Sequence, residues 1–230
     1  MIAGVDGCRG GWLCIEEIAQ GDVRVEVFTS TDALMHKAAQ LSAVAIDMPM
    51  GLSDNGARTA DREARRLLGP RGSSVFPMPV RAALDAENYA EACERSFTAC
   101  GKRLSKQTYN ILPKIREIDV ALRADARLAA ILHEAHPEMC FMYLNAGAPM
   151  PHPKKTPQGR ADRLQLIEKI WRGAFDRVRA QYLRKAVLDD DILDAFALLW
   201  TARRIREGAA VRVPERRETD RFGLRMEIAV

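Results

Sequence analysis

The apolar positions of the first fifty residues repeat with changing period, and each change marks an element. Ile2-Ala3-Gly4-Val5 is a short apolar run that ends in Asp6 and is followed by Gly7, Gly10 and Gly11. A buried strand bounded by turn residues has this form. Trp12-Leu13-Cys14-Ile15 continues as a second strand, and Asp22–Phe28 alternates polar with apolar, which predicts a half-buried third strand. Gln20-Gly21-Asp22 supplies the hairpin turn between them. Thr29 to Asp32 offers N-cap residues, and Leu34, Ala38 and Leu41 mark one face of a short helix. Ala43-Val44-Ala45-Ile46 then runs without a polar residue as far as Asp47. Such a run is expected of a strand that is reached by a helical crossover, pairs in parallel and is covered on both faces. Met48-Pro49-Met50-Gly51 cannot extend it.

Beyond this β-β-β-α-β unit the pattern turns helical. Arg58–Leu68 reads as a helix, broken by Gly69–Ser74, Pro77 and Pro79. Residues from about 84 to 126 lack strand alternation, so a mostly helical insertion at about 71–127 is expected within a single domain spanning 1–230. Pro113 should start or kink a helix there, with Ile111, Ile115, Ile118 and Leu122 on its apolar side. Ala129–His136 is the expected fifth strand, with Glu134 and His136 on one face, and Pro137 opens a helix through Leu144. Met150–Arg160 reads as an exposed basic loop, followed by a helix carrying Leu164, Ile167, Ile170 and Trp171 inward. In the late stretch Asp189–Trp200, Asp189 or Asp190 can cap a helix whose following residues are almost all apolar.

The acids at the ends of these elements carry the candidate chemistry. If the fourth strand lies beside the first, Asp6 and Asp47 leave the sheet at the same edge. Two like charges at close quarters are costly unless a cation or a proton sits between them. Asp191 and Asp194 stand three apart, so they share a helix face, and Asp194 borders the apolar run. Docked on the sheet, that helix would complete a nest of four carboxylates. Hard divalent cations take such oxygen ligands. Turn and helix capping is the competing reading for each acid taken alone.

Composition narrows the class. With 230 residues, 47% apolar and 29% charged, the chain can build a substantial core as a soluble domain. No run approaches the ~20 apolar residues of a membrane helix, and the chain opens directly into a strand without the pattern of a leader. The five cysteines are an odd count without a CxxC pair, which reads as free thiols in a reducing compartment and makes cytoplasmic localisation the expectation. Between Pro151 and Lys185 stand ten basic residues and only three acidic ones. Lys154, Lys155 and Arg160 in that patch, with Arg9 in the first turn, are the candidates for phosphate contacts to a nucleic acid. A solvated helix face is the alternative.

The order of a first strand ending in Asp, a hairpin, a strand ending in an acid and a late helix with D-x-x-D-A resembles the ribonuclease H-like fold, closest to RuvC-type Holliday-junction resolvases. More narrowly, G-V-D-G-C-R-G-G-W, A-I-D-M-P-M-G-L, D-R-E-A-R-R-L-L-G-P-R, S-S-V-F-P, P-K-I-R-E-I-D, E-A-H-P-E and D-D-D-I-L-D-A-F-A-L-L-W-T-A-R-R resemble the domain-of-unknown-function 429 (DUF429) family over nearly the whole chain. The resemblance implies an α/β fold: a ribonuclease H-like mixed five-stranded sheet flanked by helices, with the helical insertion. It implies a metal-dependent nuclease using Mg²⁺ or Mn²⁺. Asp6 would bridge two ions, with Asp47, where the resolvase has Glu, on one side and Asp191 and Asp194 on the other. Glu134, His136 and Glu138 belong to the narrower family's E-x-H-P-E pattern and are additional candidates that match no resolvase catalytic residue. The implied partner is nucleic acid, no membrane is expected, and the resolvases suggest a homodimer. The alternatives are a non-catalytic nucleic-acid- or protein-binding module of the same fold, or a small-molecule phosphotransferase or ATPase. The last pairs two such domains, for which this chain is short, and no P-loop motif is present.

Overall fold

A computed structural model describes residues 1–230. Its centre is a five-stranded sheet of order β3-β2-β1-β4-β5, made of β1 (Ile2–Cys8), β2 (Gly11–Ala19), β3 (Asp22–Phe28), β4 (Ala43–Ile46) and β5 (Leu132–Glu134). The first three strands form an antiparallel meander, while β4 joins β1 in parallel and β5 joins β4 in parallel. Helices α1 (Thr31–Ala38), α2 (Thr59–Leu68), α3 (Tyr89–Cys100), α4 (Lys106–Ala124), α5 (Ala126–Ile131), α6 (Pro137–Leu144), α7 (Pro157–Glu168), α8 (Ala174–Arg179) and α9 (Asp189–Arg206) flank it. A short antiparallel pair, β6 (Arg212–Val213) and β7 (Ile228–Ala229), lies at the C-terminal end. This is the mixed, helix-flanked sheet of the ribonuclease H-like reading. No helix is long and apolar enough to cross a membrane.

The period-two rule sorts the core. Ile2, Leu13, Ile15, Ala43 and Ala45 face one side with α6 to α9, whereas Ala3, Val5, Cys14, Val44 and Ile46 face the other with α1, α3, α4 and α5. Both sides of β1 and β4 are therefore apolar, as expected for strands covered twice. Helix α9 is buried from Ile192 to Leu199 because it lies on β1, β2 and β4 and is itself covered by α6, α7 and α8.

Several elements differ from expectation. The fifth strand is only Leu132–Glu134: Ala129-Ala130-Ile131 belongs to α5, since alanines favour helix and the four-residue β4 offers no longer partner. Pro113 does not start a helix, because α4 runs through it, held by the buried side chains of Leu112, Ile115, Ile118 and Leu122. Gly69–Ser74 ends α2 as expected, and it does so by closing into a 3₁₀ turn. The basic loop ends at Thr156, whose hydroxyl accepts from the Gly159 N–H and caps α7. The cap of α9 is neither Asp189 nor Asp190. Leu188 holds that position, and Asp191 reaches back to accept its N–H at 2.8 Å.

Candidate functional site

The parallel register places the two sheet acids. Val5 pairs with Ile46, so one step further Asp6 stands beside Asp47, and the Asp47 N–H donates to Val5 O at 3.1 Å. Asp6 has the parity of Ile2 and Gly4, and Asp47 that of Ala43 and Ala45, which directs both toward α9. Gly4 lets that helix come close. A Cβ there would stand 2.1 Å from Leu199 N and 2.2 Å from Ala195 O, so β1 and α9 pack backbone to backbone. This contact brings Asp194, the residue before Ala195, over the sheet edge that carries Asp6.

The four predicted acids share one electrostatic neighbourhood. Asp6 is only 7% exposed, and its carboxylate has neither a hydrogen-bond nor an ion-pair partner in the protein. Burial first, then the charges of Asp194 and Asp47, hold its pKa well above the usual carboxylate range. Asp47 is raised by burial and by Asp194, against His136 and Lys154. Asp194, 3% exposed, is raised by burial, against Lys154. Asp191 is pushed up to about 6 by burial, Asp190 and Asp194, although its bond to Leu188 opposes the rise.

The structure distributes the predicted cations unevenly. Lys154 enters the nest: its side chain is 40% exposed, yet its Nζ donates to Asp194 Oδ2 at 2.7 Å. Arg160 is paired instead with Asp189, whose Oδ2 it contacts at 2.6 Å. Arg184 meets the same oxygen at 2.7 Å and Arg179 meets Oδ1 at 3.2 Å, so one buried carboxylate takes three guanidinium groups. Lys155 is exposed and Arg9 stands exposed in the first turn, both without a partner. A cavity of about 490 Å³ opens beside Asp194, lined by Lys154, Lys155, Arg160, Arg184, Asp189 and Asp190 among others. Lys114, from α4, also reaches the first turn, donating to Gly11 O at 2.9 Å over the Trp12 ring.

The E-x-H-P-E residues support the site and do not line it. Glu134 pairs with Ile46 in register and so faces away from Asp47. It accepts two bonds from Arg58 (2.7 and 2.6 Å) and the Met50 N–H at 2.7 Å, while Arg58 donates to Met50 O and Gly51 O. This cluster, closed by Asp61, braces the loop that follows Asp47. Both carboxylate oxygens of Glu138 accept from Arg163 Nη2 (2.8 and 2.7 Å), and Arg163 Nη1 donates to His152 O at 3.1 Å. Glu138 thereby braces the loop carrying Lys154. His136 follows Glu134 in extended backbone, and its Nε2 contacts Ser74 O at 3.2 Å; after burial, its influence is the largest on the Asp47 pKa, which it lowers.

Four carboxylates with an unpartnered, buried Asp6 among them form a hard-oxygen donor set that suits Mg²⁺ or Mn²⁺. They are not drawn into a ready coordination sphere, since no group of three or more His, Cys, Asp or Glu side chains is arranged to hold an ion. The cation already among them is the Lys154 ammonium.

Sequence reasoning passed over three determinants. The importance of Gly4 carries no local signal, since its reason lies in α9. The arginine partners of Asp189 and the pairing of Lys154 with Asp194 likewise join distant segments. A family model described as "Protein of unknown function (DUF429)" matches residues 4–219, and the chain belongs to that family. No curated protein and no solved structure matches it.

Proposed function

We propose that this member of the DUF429 family is a Mg²⁺- or Mn²⁺-dependent phosphodiesterase acting on nucleic acid, with Asp6, Asp47, Asp191 and Asp194 as its metal-holding carboxylates. The observation that carries the reading is Asp6, a buried carboxylate with no protein partner at the edge where two parallel strands end. A buried charge left unpaired is strongly unfavourable, so a protein that keeps one there keeps it for a ligand. When bound, the divalent cation supplies Lewis-acid activation of water and stabilises the leaving oxygen. The protein's own groups do the remaining work. Asp6 and Asp47 present adjacent carboxylates from rigid strands, and Asp191 keeps one oxygen on Leu188 and the other free. Lys154 brings positive charge to the reacting edge, and Lys155 is free to bind a neighbouring phosphate in the basic cavity.

The test is cleavage of end-labelled single- and double-stranded DNA and RNA with Mg²⁺ or Mn²⁺, by the wild type and by Asp6→Asn. The expected result is cleavage by the wild type that falls at least ~100-fold in Asp6→Asn while the circular dichroism spectrum is unchanged. Undiminished cleavage by Asp6→Asn would overturn the assignment. Nucleic-acid binding that survives conversion of all four aspartates to asparagine, with no cleavage by the wild type, would point to a binding module.

A further inference from the structure

We propose that Lys154 is a built-in cation of the acidic cleft, standing in for one divalent ion, so that the protein binds one Mg²⁺ or Mn²⁺ where the resolvase-like arrangement would hold two. The inference rests on the metal-dependent reading above and deepens it. Its geometric basis is the ammonium at 2.7 Å from Asp194 Oδ2, on a residue whose charge also acts on Asp6 and Asp47. A metal ion on Asp194 Oδ2 would have to displace the ammonium, and one on Oδ1 would still be repelled by its charge. The other lysine near Asp6 is held elsewhere: Lys114 is bonded to Gly11 O and lies 4.1 Å from the centre of the Trp12 ring.

Lys154 is also kept from swinging away. On one side of it Arg71 donates to Met150 O at 3.0 Å and to Pro151 O at 2.6 Å, and Met150 is buried. Arg163 holds His152 O, and the His152 ring contacts Asp162 at 2.7 Å. On the other side Thr156 bonds Pro153 O through both its N–H and its hydroxyl, and Gly159 packs against that same carbonyl so closely that a Cβ would meet it at 2.0 Å. A loop braced at the four successive residues before one lysine fixes the point from which that side chain reaches Asp194. One oxygen of Asp194 is thereby committed to the lysine, while its other oxygen and the carboxylates of Asp6 and Asp47, which have no partner, leave room for a single ion.

The experiment is a Mn²⁺ titration followed by electron paramagnetic resonance of the free ion, on the wild type, Lys154→Met, Lys154→Arg and Asp6→Asn, with melting curves to show that each is folded. The proposal expects one saturable ion in the wild type and in Lys154→Arg. In Lys154→Met a second ion should appear, or the first should bind at least tenfold tighter, and Asp6→Asn should bind none. Two ions in the wild type, or identical binding in the wild type and Lys154→Met, would remove the role of Lys154 and leave the metal-dependent reading standing. No saturable ion in any of the four proteins would overturn both.

Discussion

Replacing Gly4 by alanine should damage both the fold and the site, by an amount the packing allows one to work out. The added Cβ would lie 2.1 Å from Leu199 N and 2.2 Å from Ala195 O, whereas ordinary contact begins near 3.4 Å. Relief therefore requires α9 to retreat by about 1.3 Å, because both obstructing atoms are backbone and neither can rotate away. Overpacking of this kind costs about 1–3 kcal/mol, and the backbone clash places it at the upper end. At about 2.1 cal/mol/K of unfolding entropy per residue, ~3 kcal/mol corresponds to a fall of about 6 °C in Tm for a chain of this length. The same retreat draws Asp194 away from Asp6, so Mn²⁺ affinity should weaken as well. Gly7→Ala in the same strand is the control. Its Cβ would meet only Lys114 Nζ at 3.5 Å, and its Tm should lie within about 1 °C of the wild type. A Gly4→Ala protein that melts with the control would refute the backbone-to-backbone packing and, with it, the placement of Asp194.

Asp6→Asn should stabilise the metal-free protein increasingly toward neutral and alkaline pH, by removing a buried carboxylate that has no partner for its charge. Because the folded-state pKa lies above the unfolded value, the wild type's penalty is absent below about pH 4 and grows as pH rises through the folded-state pKa. Thermal melts from pH 4.5 to 8 should show the mutant's advantage widening with pH, and a constant difference would contradict the cause given. Glu138→Gln leaves the buried Arg163 guanidinium without its charged partner and should cost about 3 kcal/mol. It should also speed proteolysis within residues 150–156, and a native melt with unchanged digestion would argue against the bracing role. Burial pushes the Cys14 and Cys140 thiols up to about 12, so at pH 8 a thiol reagent should label neither until the protein is unfolded. Rapid labelling of either in the native protein would contradict the packing of that side chain.

Much of the fold was legible because it follows from local periodicity. Strands β1, β3 and β4, the α1 crossover, α6 behind Pro137 and α9 behind the three aspartates all stand where their apolar pattern puts them. The parallel neighbours β1 and β4 then make adjacency of Asp6 and Asp47 almost automatic, since both acids follow the last apolar residue of their strand. The misreadings lie where a tertiary partner overrode local preference. Pro113 is carried inside α4 by the core beneath it, and the fifth strand is cut to three residues by the shortness of β4. The capping acid of α9 is Asp191, which faces both Leu188 and the cleft.

By itself the sequence determined the elements, their order and the four acids at their ends, because hydrophobic period and turn chemistry act within a few residues. Only the tertiary structure decided what each charge does. Glu134 finds Arg58 at a separation of 76 residues, Glu138 finds Arg163 at 25, and Lys154 finds Asp194 at 40. A carboxylate paired by such a contact becomes a brace, and one left without a partner in the same interior becomes a candidate ligand. Residue type and spacing are the same before and after folding, whereas burial and pairing exist only once the chain has closed on itself.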